Sequence, residues 1–220
     1  MIKAVLFDLD GILFDSEAHD QALNKEYFEK INCPIPPERC YNMICVDEKT
    51  DWWGKIVEGY EDQIDTVKLK KDLFTYTRAR WKELDFSTIM FEEIPEVLQG
   101  LKDRGMRLAV ASSSPLDYVQ RALNDACLMD YYDVVISGKD FERGKPNPDV
   151  YLYCAAQFNL TPEECVVIED STNGIAAGKN AGMKVIARRD TRFNMNQSRA
   201  DYFVDNEREI FAIIDELNKN

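Results

Sequence analysis

Short runs of consecutive apolar residues alternate along most of this chain with longer stretches in which apolar positions recur every three or four residues. The runs lie at 4–7, 108–111, 134–136 and 166–168, with 183–187 as a fifth. A brief apolar run without alternation suits a strand buried on both faces. Between the runs, 95–104, 116–127, 149–158 and 173–181 carry helical spacing, and Gly105 and Gly182 stand just past the first and last of these, where a helix would stop. A final amphipathic helix is expected over 207–217, with residues 218–220 frayed. The alternation of strand and helix predicts an α/β fold, a doubly wound, Rossmann-like parallel sheet.

One long stretch breaks the rhythm. After the first run the chain turns aromatic and helical, with apolar positions at Leu23, Tyr27 and Ile31 and again at Leu69, Leu73, Thr77, Trp81 and Leu84. The segment Cys33-Pro34-Ile35-Pro36-Pro37 cannot continue a helix and separates the first of these helices from the rest. The expected organisation is a core made of residues 1–14 and 87–220, interrupted by a helical cap at 15–86. Trp52, Trp53 and Trp81, with Tyr27, Phe28, Tyr60, Phe74 and Tyr76, are read mostly as the core of that cap, with a substrate-facing pocket as the alternative.

Composition narrows the function classes. A chain of 220 residues with 45% hydrophobic content can bury a substantial core. Its 40 Asp and Glu against 27 Lys and Arg give a formal charge of −13, a field that repels nucleic acid and anionic lipid. The same field repels a phosphate ester, so a phosphate site would have to gather positive charge locally, from a lysine, backbone amides or a metal ion. The cysteines Cys33, Cys40, Cys45, Cys127, Cys154 and Cys165 form no C-x-x-C pair, and the single histidine, His19, is near none of them, so zinc is not expected and the thiols are read as reduced and mostly buried. With neither a signal-peptide pattern nor an apolar run long enough to span a bilayer, the expected compartment is the cytoplasm.

In an open parallel sheet, ligands gather at the carboxyl ends of the strands, near the point where strand order reverses. The first run ends in Asp8-Leu9-Asp10-Gly11 and the second in Ser112-Ser113-Ser114. The third leads into Gly144-Lys145-Pro146, and the fourth ends in Glu169-Asp170-Ser171. Each alone has an ordinary structural reading: a turn, a strand-end hydroxyl, a surface lysine, or acids favouring the start of the next helix. Together they supply carboxylates, a hydroxyl, amides and one ammonium to the same end of the sheet.

This set resembles the haloacid dehalogenase-like superfamily, whose four motifs match Asp8-Leu9-Asp10-Gly11, Ser112, Lys145 and Glu169-Asp170 in order and spacing. The longer matches at residues 8–17, 144–149 and 169–174, with an insertion after the first motif, look like the helical-cap subfamily that contains β-phosphoglucomutases and phosphoglycolate-type phosphatases. The resemblance implies a magnesium-dependent phosphatase of small phosphorylated metabolites, sugar phosphates first. In it Asp8 is the nucleophile that forms an aspartyl-phosphate, and Asp10 is the acid and base. Ser112, Ser113 and Lys145 bind phosphate, with the amides of Ser113 and Ser114 as further donors. Asp8, Asp10 through its carbonyl, Asp170 and, directly or through water, Glu169 hold the ion. Gly11 lets the chain turn away without a side chain blocking the site.

Other functions fit less well. A phosphosugar mutase is the runner-up, but the stretch Asp15-Ser16-Glu17-Ala18-His19-Asp20 sets its histidine one residue out of place, and Cys45-Val46-Asp47-Glu48-Lys49 departs from the glycine-and-arginine pattern mutases use for a second phosphate. His19 is therefore given no role. Dehalogenation uses no carboxylic acid at the position of Asp10. A non-catalytic phosphate sensor should have lost one of Asp8, Asp10, Lys145 or Asp170, and all four are present.

Overall fold

The computed structural model describes residues 1–33, 35, 36, 39, 52–193 and 195–219. The Cys45–Lys49 loop and the thiols of Cys40 and Cys45 lie outside the described residues, as does the side chain of Trp52. The chain divides into two compact units. One comprises Met1–Asp15, Asp85–Thr191 and Met195–Asn220, the other Ser16–Leu84 with Arg192–Asn194.

The first unit is built on a six-stranded sheet, β1 (Ala4–Phe7), β2 (Arg107–Ser112), β3 (Val134–Ser137), β4 (Cys165–Glu169), β5 (Lys184–Arg188) and β6 (Tyr202–Val204), in the order β3-β2-β1-β4-β5-β6. All pairs are parallel. The chain winds outward from β1 through β2 to β3, then returns to lay β4 on the other side of β1. Strand order thus reverses beside β1, where Phe7 pairs with Val110 on one side and Ile168 on the other.

Residues of β1 are buried on both faces, as an apolar run without alternation requires. Ala4 and Leu6 belong to a core cluster with Tyr151 and Cys154 of α6 (Asp149–Gln157) and with Ile175 and Ala177 of α7 (Thr172–Asn180). Val5 and Phe7 point to the opposite face and have no exposed surface. Three further helices of this unit, α4 (Ile94–Asp103), α5 (Leu116–Asp125) and α8 (Ile210–Leu217), each bury one face, such as Ile94, Val97, Leu98 and Leu101 on α4. Each fully buried aliphatic side chain contributes about 1.5–3 kcal/mol.

The five expected strands and the core helices form, with no end shifted by more than three residues. Two differences have physical causes. β6 is only three residues long at the sheet edge, too short to leave an apolar run in the sequence. The C-terminal segment begins as a 3-10 turn at Glu207–Glu209 before α8, because Asn206 caps Arg208 N rather than opening an α-helix directly.

The second unit contains α1 (Ser16–Lys30), α2 (Trp52–Val57) and α3 (Thr66–Glu83). Its core gathers Tyr27, Phe28, Ile35, Ile56, Val57, Leu69 and Leu73, with Trp53, Tyr60 and Tyr76 against it. Two expectations fail here. Ile31 falls just past the end of α1 and is 43% exposed, while Phe28 takes the core position; Phe74 is 52% exposed because it lies next to Leu73, on the outer side of α3. Among the described residues no helix is long and apolar enough to cross a membrane. Of the four described cysteines only Cys154 and Cys165 are buried, and burial pushes both thiols up to about 12. Cys127 is exposed, against expectation.

On the strand next to the sheet edge, Arg188, the last residue of β5, donates to Glu207 at 2.5 Å while its guanidinium lies 3.8 Å from the centre of the Phe91 ring. Glu207 is 3% exposed, so this pair fastens the segment leading into α8 to the sheet. Glu207→Ala leaves a largely buried guanidinium without that carboxylate and is expected to lower the unfolding free energy by about 3 kcal/mol. A urea titration checks this, and an unchanged midpoint would count against the pair as a fastening.

Candidate active site

Asp8 is the first residue past β1, and its amide still donates to the Ile168 carbonyl of β4 at 3.0 Å. Strand order reverses at this point, so Asp8 and the last residue of β4, Glu169, are brought side by side. Between them stands Lys145, whose ammonium donates to Asp8 Oδ1 at 2.5 Å and to Glu169 Oε1 at 2.7 Å. The Lys145 side chain is 4% exposed and that of Glu169 fully buried. The loop presenting Lys145 is fixed by Asn147, which donates twice to the Gly144 carbonyl, and by Asn180, which donates to the Pro146 carbonyl at 3.0 Å.

Both oxygens of Glu169 are occupied. Oε1 accepts from Lys145 and from the Tyr151 hydroxyl at 2.9 Å, and Oε2 accepts from the Asp170 and Ser171 amides and the Ser171 hydroxyl at 3.0–3.1 Å. Ser171 also caps α7 by accepting from Gly174 N at 3.0 Å. The first turn of α7 passes so close that a Cβ on Gly174 would run into the Glu169 carboxylate. A second close approach involves Gly11, at φ +77°, where a Cβ would meet the carboxylate of Asp170. Asp170 is 2% exposed, and its carbonyl accepts from Gln197 Nε2, which also bridges to the Arg188 carbonyl.

The electrostatics follow from the burial. Desolvation pushes the Asp8 carboxyl well above the usual carboxylate range, opposed by Lys145 and reinforced by Glu169 and Asp10. Burial works against the Lys145 ammonium, yet Asp8 and Glu169 outweigh it and hold that group above its ordinary value. Burial, then the nearby Glu169 charge, likewise keeps the Tyr151 phenol neutral.

Oxygens of Asp8, Glu169 and Asp170 lie within 4.8 Å of one another, a group that could hold a metal ion. Three buried carboxylates face one ammonium, and hard oxygen donors around a glycine-cleared space suit a hard divalent cation. The residues present therefore fit such an ion.

The remaining expected site residues divide. Asp10 is half-buried, and its carboxylate accepts from Ser114 Oγ at 2.8 Å and Tyr118 OH at 3.2 Å. Ser112 is fully buried at the end of β2, and its hydroxyl oxygen accepts from the Ser114 amide at 3.0 Å. That amide, expected to face an anion, is thus engaged within its own turn, which is further tied down by the Ser137 hydroxyl donating to the Ser114 carbonyl at 2.7 Å. Ser113 is exposed. His19 belongs to the other unit, where it stands edge-on to Trp81 at 4.8 Å, and burial lowers its pKa.

Tyr151, Tyr118, Gln197 and the Ser114 hydroxyl escaped the sequence reading. Tyr151 sits at an apolar position of α6 and reads as packing, and Gln197 lies in a loop with no pattern. Only Ser171 with Gly174 carried a readable signal, a cap residue three places before a glycine.

The family described as haloacid dehalogenase-like hydrolase matches residues 5–188. A Thermotoga maritima protein named phosphorylated carbohydrates phosphatase is 29% identical over 189 residues, covering 84% of each chain. The β-phosphoglucomutase of Bacillus subtilis is 26% identical over 190 residues, covering 83% of this chain and 81% of its own. Among solved structures, a HAD family hydrolase from Deinococcus radiodurans with bound phosphate and sodium superposes with a TM-score of 0.82 at 26% identity, covering 99% of this chain and 96% of that one.

Gly174→Ala tests the packing around Glu169. The added methyl must displace a carboxylate held by five donors, and the expected loss is about 1–3 kcal/mol despite the better helix propensity of alanine. A thermal or urea midpoint at or above that of the parent would contradict the close approach.

Proposed function

The chain belongs to the haloacid dehalogenase-like hydrolase family, and from that premise we propose that it hydrolyses phosphate monoesters of small carbohydrates through a covalent phosphate on Asp8. The observation that carries this reading is the buried ammonium of Lys145 bridging Asp8 and Glu169 beside Asp170, at the point where strand order reverses. The named phosphatase among its relatives supports the substrate class.

In the first step an Asp8 oxygen attacks phosphorus while Asp10 passes a proton to the departing sugar oxygen. In the second, Asp10 takes a proton from water as that water attacks the same phosphorus, freeing Asp8 and inorganic phosphate. Lys145 offsets the repulsion between an anionic nucleophile and an anionic ester, and the Ser112 hydroxyl donates to a phosphoryl oxygen. A magnesium ion, when bound, would supply further charge neutralisation at the phosphoryl oxygens. Asp8, Asp170 and the Asp10 carbonyl are assigned to hold it. Glu169, with both oxygens already accepting, is assigned instead to fixing Lys145 and the start of α7.

A phosphosugar mutase is the second reading, favoured by the likeness to the Bacillus subtilis β-phosphoglucomutase. One assay set separates the two: phosphate release from a panel of sugar phosphates, nucleotides and phosphoglycolate, with magnesium and with chelator, beside conversion of β-glucose 1-phosphate to glucose 6-phosphate. Magnesium-dependent release is expected, abolished in Asp8→Asn and reduced about 10²–10⁴-fold in Asp10→Asn. Isomer conversion with little release would transfer the assignment to the mutase.

The ion can be followed without turnover. Magnesium should raise the melting temperature of the parent in a concentration-dependent way, and Asp170→Asn should lose most of that rise. An equal rise in both proteins would remove Asp170 from the ligand set.

A further inference from the structure

The side chain of Asp10 is held from two directions by hydroxyls that the motif pattern does not contain. Ser114, in the turn after β2, donates to Oδ2 at 2.8 Å, and Tyr118, in the first turn of α5, donates to Oδ1 at 3.2 Å. Both oxygens of the carboxylate therefore have a donor, and its rotation about the side chain is restricted.

Tyr118 is in turn fixed by the backbone around Asp10. Its ring stands edge-on to Phe86 at 5.1 Å with an interplanar angle of 86°, and Phe86 stands edge-on to Phe14 at 5.5 Å. Phe14 forms bridges with Asp10 and with Met90, and the Gly11 amide donates to its carbonyl at 2.8 Å. The contacts close a ring: Asp10 backbone to Phe14, Phe14 to Phe86, Phe86 to Tyr118, and the Tyr118 hydroxyl back to the Asp10 side chain. Phe14 and Phe86 are fully buried, so the ring is packed rather than incidental.

We propose that Tyr118, together with Ser114, is a positioning residue for the proton transfer made by Asp10. This inference rests on the acid role given to Asp10 above and adds what aims it. The aromatic ring holds the phenol, and the phenol and serine hydroxyls hold the carboxyl group at the place where the leaving oxygen must be met. A catalytic group displaced by about 1 Å can lose about 10²-fold in rate. Tyr118→Phe keeps the packing on Phe86 and removes only the hydroxyl.

The test compares kcat/KM for an alkyl ester, glucose 6-phosphate, with that for p-nitrophenyl phosphate, whose leaving group departs as a stable anion and needs no proton. The value of kcat/KM covers steps through the first phosphoryl transfer, so it reports the acid and not the later base. Tyr118→Phe should lower kcat/KM on glucose 6-phosphate by about tenfold or more and leave p-nitrophenyl phosphate within about twofold. Ser114→Ala should show the same selectivity. Asp10→Asn, the control for the reading beneath, should show it more strongly. If Asp10→Asn is selective and Tyr118→Phe is either unaffected or lowers both substrates equally, the positioning role is overturned while the acid role stands. If Asp10→Asn itself lowers both substrates equally, the acid role fails and the positioning role falls with it.

Discussion

A lysine ammonium with almost no exposed surface, held between two carboxylates at the centre of a sheet, sets the conditions for everything around it. An unpaired charge at that depth would cost several kcal/mol, and so would either carboxylate without its partner. Lys145 sits 2.5 Å from Asp8 and 2.7 Å from Glu169, and it is the cation that opposes the cost of burying both acids. The supporting features follow from that requirement. The loop carrying Lys145 is pinned by Asn147 and Asn180, the second oxygen of Glu169 is filled by the start of α7, and glycine stands at 11 and 174 where a side chain would strike a carboxylate.

The sheet topology makes this concentration of charge possible at one place. Because the chain returns from β3 to lay β4 beside β1, two strand ends separated by some 160 residues bring Asp8 and Glu169 into adjacent positions. The loop before α6 then delivers Lys145 over the gap, and α6 supplies Tyr151 to the same carboxylate. A site with three buried carboxylates and one ammonium still carries surplus negative charge, and a phosphate ester would add more. That imbalance supports assigning a divalent cation to Asp8 and Asp170, where it would offset the repulsion of an anionic ester.

Much of this was legible from the chain alone, for identifiable reasons. Unbroken apolar runs mark β1 to β5, and the polar residues Asp8 and Glu169 at strand ends, with Lys145 in the loop between β3 and α6, stand out against them. β6, only three residues long, left no such run. Ile31 had helical spacing, but α1 ended before it, because the pattern does not state where a helix stops. Contacts that depend on side chains crossing between elements left no periodic trace. Tyr151 and Tyr118 belong to no motif yet reach Glu169 and Asp10, and the Ser114 amide, expected to meet an anion, turns inward to Ser112.

Passage of the phosphoryl group through Asp8 is the step on which the proposed function turns. The most direct measurement mixes the Asp10→Asn variant with p-nitrophenyl phosphate, whose leaving group needs no acid in the first step, quenches in acid within milliseconds to seconds, and locates any adduct by intact mass and peptide mapping. In that variant the second step lacks its base, so the adduct should persist. A covalent step on Asp8 predicts one added phosphoryl group, on Asp8, absent when Asp8 is also changed to Asn. A phosphoryl group on any other residue, or turnover with no covalent adduct at any time, would contradict it.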